Sequence, residues 1–254
     1  LMLCYGIGAN GKSTFLNEVR DLCGTYGLQA PLAMLLEKRG ETIPTDLADL
    51  MGRRLVTCIE SAQNKWLAEP LVKSITGGDP IRARRMRQDF FEFVPSHTLW
   101  LACNHKPRVR GSDDGIWRRV LLVPFTVKIP PAERDADLPR KLAAERSGIL
   151  NWALCGLVDY LAGGLAPPPA VQAATDEYRH AEDIVGQFID ERCEKRVGLE
   201  CRSSDLAEAY GRWAESQGLK PMANRTLTGV GHRAERRHHR PADLRRARAA
   251  AIRA

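Results

Sequence analysis

Near its start the chain carries a glycine-rich stretch, Gly6 to Thr14, that matches the phosphate-loop pattern G-x-x-x-x-G-K-[ST]. Its glycines let the backbone curl so that successive N–H groups face one anion, and a helix starting near Lys12 adds the positive end of its dipole. The Lys12 ammonium can then reach the β- and γ-phosphates of a nucleotide, and the Ser13 hydroxyl can bind Mg²⁺. The predicted nucleotide-binding residues are Gly6, Gly8, Ala9, Asn10, Gly11, Lys12, Ser13 and Thr14.

The residues around the loop have the pattern that such a loop requires. Three apolar residues precede it as a strand would, and Phe15, Leu16 and Val19 follow it at helical spacing. Many unrelated proteins bind nucleotides in this way. The loop therefore predicts the ligand but leaves the reaction open.

Two further polar residues follow predicted buried strands. Glu60 is the last residue of a predicted strand at 54–60, and Asn104 directly follows a predicted strand at 98–103. An ATPase needs a carboxylate across from Lys12 to polarise the attacking water or to act through Mg²⁺, and an amide can hold the water or the γ-phosphate. Glu60 is therefore predicted as a catalytic and metal-binding residue, and Asn104 as a catalytic residue.

Basic residues form three clusters. Arg118 and Arg119 precede a predicted strand at residues 120–125, where an arginine could stabilise charge on a neighbouring subunit's γ-phosphate or simply form a surface ion pair. Predicted strands at 81–87 and 90–94 make a hairpin whose basic tip fits phosphates, with a merely soluble hairpin as the alternative. Lys106, Arg108 and Arg110 form the third cluster, which is either solvated or basic surface for a ligand.

The composition indicates the cellular compartment and limits what the net charge can imply. The chain has 254 residues, is 44% hydrophobic and carries seven scattered cysteines without a C-x-x-C pair. This pattern indicates reduced, buried thiols, and we expect a cytoplasmic protein. No apolar run is long enough to span a membrane. Eight of the arginines lie in residues 232–254, so the net charge of +7 is a property of the tail and does not by itself argue for nucleic acid.

Strand and helix patterns alternate as far as residue 130, which predicts a three-layer α/β domain around a parallel sheet. The later residues read as helices. We divide the chain into a core (1–130), a helical connecting segment (131–185), a small winged-helix-like domain (186–231) and a disordered Arg/Ala-rich tail (232–254).

Five stretches in this order resemble the superfamily 3 helicase module of bacteriophage and plasmid primase-helicases: GIGANGKS, RLVTCIES, KSITGGDPIRARRMRQDFFEFVP, LWLACNHKPRVRG and GIWRRVLLVPF. The resemblance implies an AAA+-type ATPase core that forms a hexameric ring and uses ATP and Mg²⁺ to unwind DNA in the 3′ to 5′ direction. It assigns Glu60 to the acidic motif, Asn104 to the sensor, and Arg119, with Arg118 second, to the arginine finger. It also implies that the segment from Lys73 to Pro95 ends in a hairpin that lies in the ring channel and contacts single-stranded DNA. The DNA-binding residues predicted in this way are Lys73, Arg82, Arg84, Arg85, Arg87 and Gln88.

The chain also departs from that family. Ala62 and Gln63 stand where further acids are common, and no closing wing is visible after about Gly229. We expect the last residues to be altered by frameshift or truncation. Because the chain opens inside its first strand, we expect a C-terminal part of a longer protein whose upstream primase module is missing.

Two other functions remain open on the sequence. One is a nucleotide-binding and DNA-binding module without productive hydrolysis, in which the winged-helix-like segment and the basic tail bind DNA. The other is a small-molecule kinase built on the same loop. The arginine-rich hairpin and the paired Arg118 and Arg119 argue against the kinase.

Overall fold

The structure is a computed structural model that describes residues 1–37, 45–59, 65–110, 114–194, 196, 201–219, 221 and 251–252. The chain divides into two compact units, Leu1–Tyr178 and Arg179–Ala254. All seven cysteines are unpaired. Within the described ranges, no helix has the length and apolar character needed to cross a bilayer.

The first unit is built on a five-stranded sheet whose strands are all parallel, as the alternating sequence pattern predicts. Its strands are β1 (Met2–Tyr5), β2 (Gly27–Gln29), β3 (Leu55–Ile59), β6 (Thr98–Cys103) and β7 (Leu121–Pro124). Their spatial order is β2-β3-β6-β1-β7. In parallel strands the carboxyl ends share one edge, so β1, β3 and β6 all end at the same edge of the sheet.

Helical elements cover both faces of this sheet. Along β1, Leu3 packs into the larger core, while the next residue, Cys4, packs on the opposite face against Leu16 of helix α1 (Lys12–Leu22). The larger core also takes in α2 (Glu69–Ile75) and α3 (Asp114–Trp117). A central strand buried on both faces explains why the run before the phosphate loop is apolar throughout.

Several predicted elements differ in length. The sequence pattern of residues 65–75 favours a helix, but α2 begins only at Glu69, because Trp66 and Leu67 form isolated bridges to Arg108 and Leu36. The hairpin strands, β4 (Ile81–Ala83) and β5 (Phe91–Phe93), are shorter than predicted. The short β2 was not predicted from the sequence.

Three helices follow the sheet: α4 (Leu138–Ala144), α5 (Arg146–Gly163) and α6 (Pro169–Glu182). Arg146 anchors α5 to α1 through ion pairs with Glu18 and Asp21. Apart from this anchor, α5 leaves large apolar side chains exposed: Leu150, Trp152, Leu154, Leu157, Val158, Tyr160 and Leu161. Near its end α6 returns to the core, where Tyr178 packs edge-on against Trp117.

The second unit contains α7 (Ile184–Arg192), β8 (Cys193–Glu194), α8 (Ser203–Ser216) and the two-residue strand β9 (Ala251–Ile252), which pairs with β8. Asp183 caps α7 by accepting a 3.0 Å hydrogen bond from the Gly186 amide. Phe188, Tyr210 and Trp213 form its aromatic core. The predicted wing and nearly all of the predicted tail lie outside the described residues, so the winged-helix assignment stays a prediction.

Candidate nucleotide site

The phosphate-loop residues connect the end of β1 to the start of α1. The backbone is left-handed at Gly8 (φ +71°), Ala9 (φ +48°) and Gly11 (φ +81°), and Gly11 leads directly into the first helical residue, Lys12. At Gly6 a β-carbon would collide with the Asn10 side chain and the Phe125 carbonyl. The glycines at these positions are therefore required by the backbone conformation and by close packing.

Lys12 is almost completely buried, with 4% of its surface exposed. Its ammonium donates hydrogen bonds to the Gly6 carbonyl (2.7 Å), to Asn10 Oδ1 (2.8 Å) and to Asn104 Oδ1 (3.1 Å). A lysine ammonium has three N–H donors. All three are therefore satisfied by the protein itself.

Burial also changes the acid–base properties of this region. Removal from water lowers the pKa of Lys12 below that of a free lysine. Burial raises the pKa of Cys4 to about 11 and that of Cys103 to about 12. Both thiols stay protonated at neutral pH, so Lys12 carries the positive charge of this site without a thiolate beside it.

The other predicted site residues of the loop lie in the first turn of α1. The Ser13 side chain is exposed and Thr14 is half-buried, as expected for groups that face a ligand. Asn104 is half-buried and follows β6 directly. Glu60 lies outside the described residues, immediately after β3. Within the described ranges, no group of three or more His, Cys, Asp or Glu residues could hold a metal ion.

Arg118 and Arg119 lie between α3 and β7, at the opposite edge of the sheet from the phosphate loop. The Arg119 guanidinium is half-buried and donates to the Gly115 carbonyl at 2.6 Å. The Arg119 carbonyl accepts from the Leu1 amine at 2.6 Å. Arg118 is exposed. Because β7 runs parallel to β1, roughly 10 Å of strand separates both arginines from the loop of their own chain.

The hairpin of β4 and β5 exposes its tip, residues 85–90. Arg87 has left-handed backbone (φ +58°), which turns the chain at the tip. Phe90 is 49% exposed, and the guanidinium carbons of Arg82 and Arg84 lie 4.5 and 4.9 Å from its ring centroid. Lys73 lies on α2 at 3.9 Å from Glu69 rather than at the tip. The tip therefore combines positive charge with an aromatic face.

Sequence reasoning missed the aromatic partners of the basic residues. Besides Phe90, Trp66 has the guanidinium carbons of Arg108 and Arg110 at 4.9 and 4.7 Å from its ring centroid. Lys106 lies 5.0 Å from the ring centroid of Tyr5 and also contacts Tyr178. Phe90 was the accessible signal, because it lies within a few residues of the hairpin arginines. The Trp66 pairing joins distant parts of the chain and had no local signal.

Comparison with known proteins finds similar proteins from viruses. The family profile DUF5906, described as a family of unknown function, matches residues 4–119. The chain is 30% identical over 253 aligned residues to "Putative helicase L207/L206" of Acanthamoeba polyphaga mimivirus, with 90% of the chain and 26% of that protein covered. It is 27% identical over 233 residues to "Putative helicase 022R" of Frog virus 3, with 83% of the chain and 24% of that protein covered.

A third relative, "Putative primase C962R" of African swine fever virus, is 22% identical over 249 residues, with 84% of the chain and 24% of that protein covered. The chain thus spans about a quarter of the length of these relatives. Among solved structures, the apo C-terminal region of NrS-1 aligns with a TM-score of 0.46 at 14% identity, over 75% of the chain and 48% of that structure. JCV helicase aligns with a TM-score of 0.38 at 14% identity, over 72% of the chain and 51% of that structure.

Proposed function

We propose that this chain is the ATPase motor of a viral-type replication helicase, which couples ATP hydrolysis to movement along single-stranded DNA. The observation that carries the proposal is the buried Lys12 ammonium at the start of α1, facing the phosphate loop and joined to Asn104 on the neighbouring strand. The names of the viral relatives support the helicase or primase class. The five ordered motifs support the finer assignment to superfamily 3.

The strand order supports an AAA+-type core. In the order β2-β3-β6-β1-β7, the strand that leads into the phosphate loop has β6 on one side and β7 on the other. Asn104, after β6, emerges at the loop's edge of the sheet, and Glu60 is the residue that follows β3 in the sequence. We propose that Glu60 activates the attacking water and that Asn104 contacts the γ-phosphate during its transfer to water.

The site fits a nucleotide with a divalent metal. Lys12 neutralises phosphate charge, the amides at the start of α1 donate to phosphate oxygens, and the exposed Ser13 hydroxyl with Glu60 would hold Mg²⁺. Bound Mg²⁺ would neutralise charge between the β- and γ-phosphates. The small apolar and glycine residues of the loop keep the backbone close to the ligand.

The position of Arg118 supports a site shared between subunits. It is exposed at the far edge of the sheet, so it reaches only a nucleotide bound by another copy. The sequence favoured Arg119 for this role, but its guanidinium is already held by the Gly115 carbonyl. We therefore propose Arg118 as the arginine finger and Arg119 as a residue that fixes the turn before β7.

The exposed apolar side chains of α5 also support assembly. Exposed apolar patches of this kind mark protein–protein contacts, because contiguous apolar surface on monomers rarely exceeds a few hundred Å². Leu161, Val158 and Trp152 are the most exposed of these side chains on α5, at 74%, 66% and 65%. A ring of identical chains, a hexamer by the superfamily 3 resemblance, is the assembly we propose.

The hairpin is the proposed DNA contact. Arginines at its tip bind phosphates without regard to sequence, and the exposed face of Phe90 suits an unpaired base. The helix α8 of the second unit is a poorer candidate, because Asp205, Glu208 and Glu215 are exposed along it. This weakens the alternative in which the winged-helix-like segment does the binding.

The proposal is tested by ATP-driven unwinding of a forked duplex, together with the mass of the protein by light scattering with ATP and a single-stranded oligonucleotide. We expect strand separation that needs ATP and Mg²⁺, and a mass several times that of one chain. A protein that binds ATP as a monomer and separates no strands would favour the alternative of a binding module without productive hydrolysis. Phosphorylation of a small acceptor without any effect of DNA would favour a kinase.

A further inference from the structure

The side chain of Asn10 joins two parts of the site that are distant in sequence. Its Oδ1 accepts the 2.8 Å hydrogen bond from Lys12, and its Nδ2 donates at 3.1 Å to the Phe125 carbonyl just after β7. The same amide fills the space above Gly6, where a β-carbon would collide with it. Asn10 is therefore fixed at both ends of its amide and by packing.

A phosphate oxygen can bind Lys12 only by replacing one of its present acceptors, since all three ammonium donors are in use. The three acceptors are not equivalent. The Gly6 carbonyl belongs to the loop itself, and Asn10 is held a second time by Phe125. Asn104 makes the longest of the three bonds, 3.1 Å, and comes from a different strand.

We propose that Asn10 is a positioning residue that keeps the Lys12 ammonium aimed into the loop, and that Asn104 is the acceptor which a phosphate oxygen replaces. This inference rests on nucleotide binding in the proposed function, but on neither hydrolysis nor DNA. Released from Lys12, the Asn104 amide is free to contact the incoming phosphate. Asn10 thus acts in binding, whereas Asn104 acts after binding.

Two substitutions of Asn10 separate positioning from simple packing. Asn10→Ala removes the acceptor from Lys12 and leaves the ammonium free to turn away. Asn10→Asp keeps the size and the acceptor, but its charge pairs with Lys12 and repels a triphosphate, and it loses the donor to Phe125. Asn151→Ala, on the exposed side of α5, is a matched control.

The first test measures the dissociation constant of a fluorescent ATP analogue with Mg²⁺. We expect about tenfold weaker binding for Asn10→Ala and a larger loss for Asn10→Asp, with Asn151→Ala unchanged. Asn104→Ala should bind as tightly as the wild type or more tightly, because a competitor for Lys12 is gone. Unchanged binding by both Asn10 variants, or weaker binding by Asn104→Ala than by Asn10→Ala, would overturn the inference.

The second test needs no nucleotide and so separates this inference from the proposed function. The rate of Lys12 acylation is followed against pH by mass spectrometry. A hydrogen bond from the charged ammonium to Asn10 favours the protonated form, so Asn10→Ala should move the onset of acylation to lower pH and Asn10→Asp to higher pH. An onset that moves in neither variant contradicts the inference, even if the wild type binds no nucleotide.

Discussion

Lys12 and Asn104, 92 positions apart in the chain, meet through a 3.1 Å hydrogen bond between the first helix after the phosphate loop and the end of the neighbouring strand. This contact joins the residue proposed to bind phosphate to the residue proposed to sense it. It exists because β1 and β6 are adjacent and parallel, with Tyr5 paired to Cys103. The ends of the two strands therefore lie side by side.

Substitution of Asn104 should separate binding from turnover. Asn104→Ala is expected to lower the rate of ATP hydrolysis about 100-fold, the usual cost of removing one fixed donor from a reacting phosphate site. Nucleotide affinity should stay the same or rise. The measurement is kcat and KM from phosphate release, and a rise in KM with unchanged kcat would assign Asn104 to binding instead.

The two arginines before β7 should behave differently. Arg118→Ala is expected to reduce turnover about a thousandfold with little change in thermal stability, because its side chain is exposed. Arg119→Ala should lower the melting temperature by several degrees, because the hydrogen bond from its guanidinium to the Gly115 carbonyl is lost.

A mixing experiment checks that the first effect acts between chains. Lys12→Ala and Arg118→Ala proteins, each inactive alone, should regain part of the turnover when combined. Failure to regain any turnover, in a mixture shown to exchange subunits, would remove Arg118 from the shared site.

The hairpin tip should bind single strands by two separable contributions. Phe90→Ala is expected to weaken binding of a single-stranded oligonucleotide about tenfold at every salt concentration, because a stacked base is lost. Arg85→Gln, at an exposed position of the tip, should instead reduce the salt dependence of binding by about one unit of slope. Arg140→Gln, an exposed arginine of α4 paired with Asp137, is the control and should change neither. Equal effects of all three variants would argue against the hairpin as the contact.

Thiol reactivity should follow burial. Burial raises the pKa of Cys58 and of Cys103 to about 12, so both should resist alkylation at neutral pH in the folded protein. Cys155 is exposed on α5 and should react first. Mass spectrometry after brief labelling measures the order. Rapid modification of Cys103 in folded protein would mean that the strand beside the phosphate loop is less buried than the structure shows.

The pH dependence of nucleotide binding follows from the pKa of Lys12. Because burial lowers this pKa, Lys12 loses its proton at a lower pH than a free lysine, whose pKa is 10.5. Affinity for ATP should therefore fall as the pH rises toward that value, because a neutral Lys12 no longer attracts the phosphates. An affinity that is constant throughout the alkaline range would indicate that the Lys12 charge does not contribute to binding.

The sequence predicted the parts of the molecule that depend on local pattern. The glycine-rich loop before α1, the parallel sheet and the strand over residues 98–103 could be predicted, because apolar runs and glycine spacing are visible in consecutive residues. The bridge from Asn10 to Phe125 and the stacking of Arg108 on Trp66 were not. Both need the tertiary arrangement of strands, which no short window contains. The exposure of α5 was also missed, because an apolar helix pattern shows that a surface needs covering but not what covers it.

The most direct test of the account is phosphate release from ATP by the wild-type chain and by Lys12→Ala, each with and without single-stranded DNA. The account predicts that DNA stimulates release by the wild type. It also predicts that Lys12→Ala binds nucleotide about 10- to 100-fold more weakly and releases no phosphate above background. Equal release by the two proteins, or release that DNA leaves unchanged, would contradict the assignment of a DNA-stimulated ATPase motor to this site.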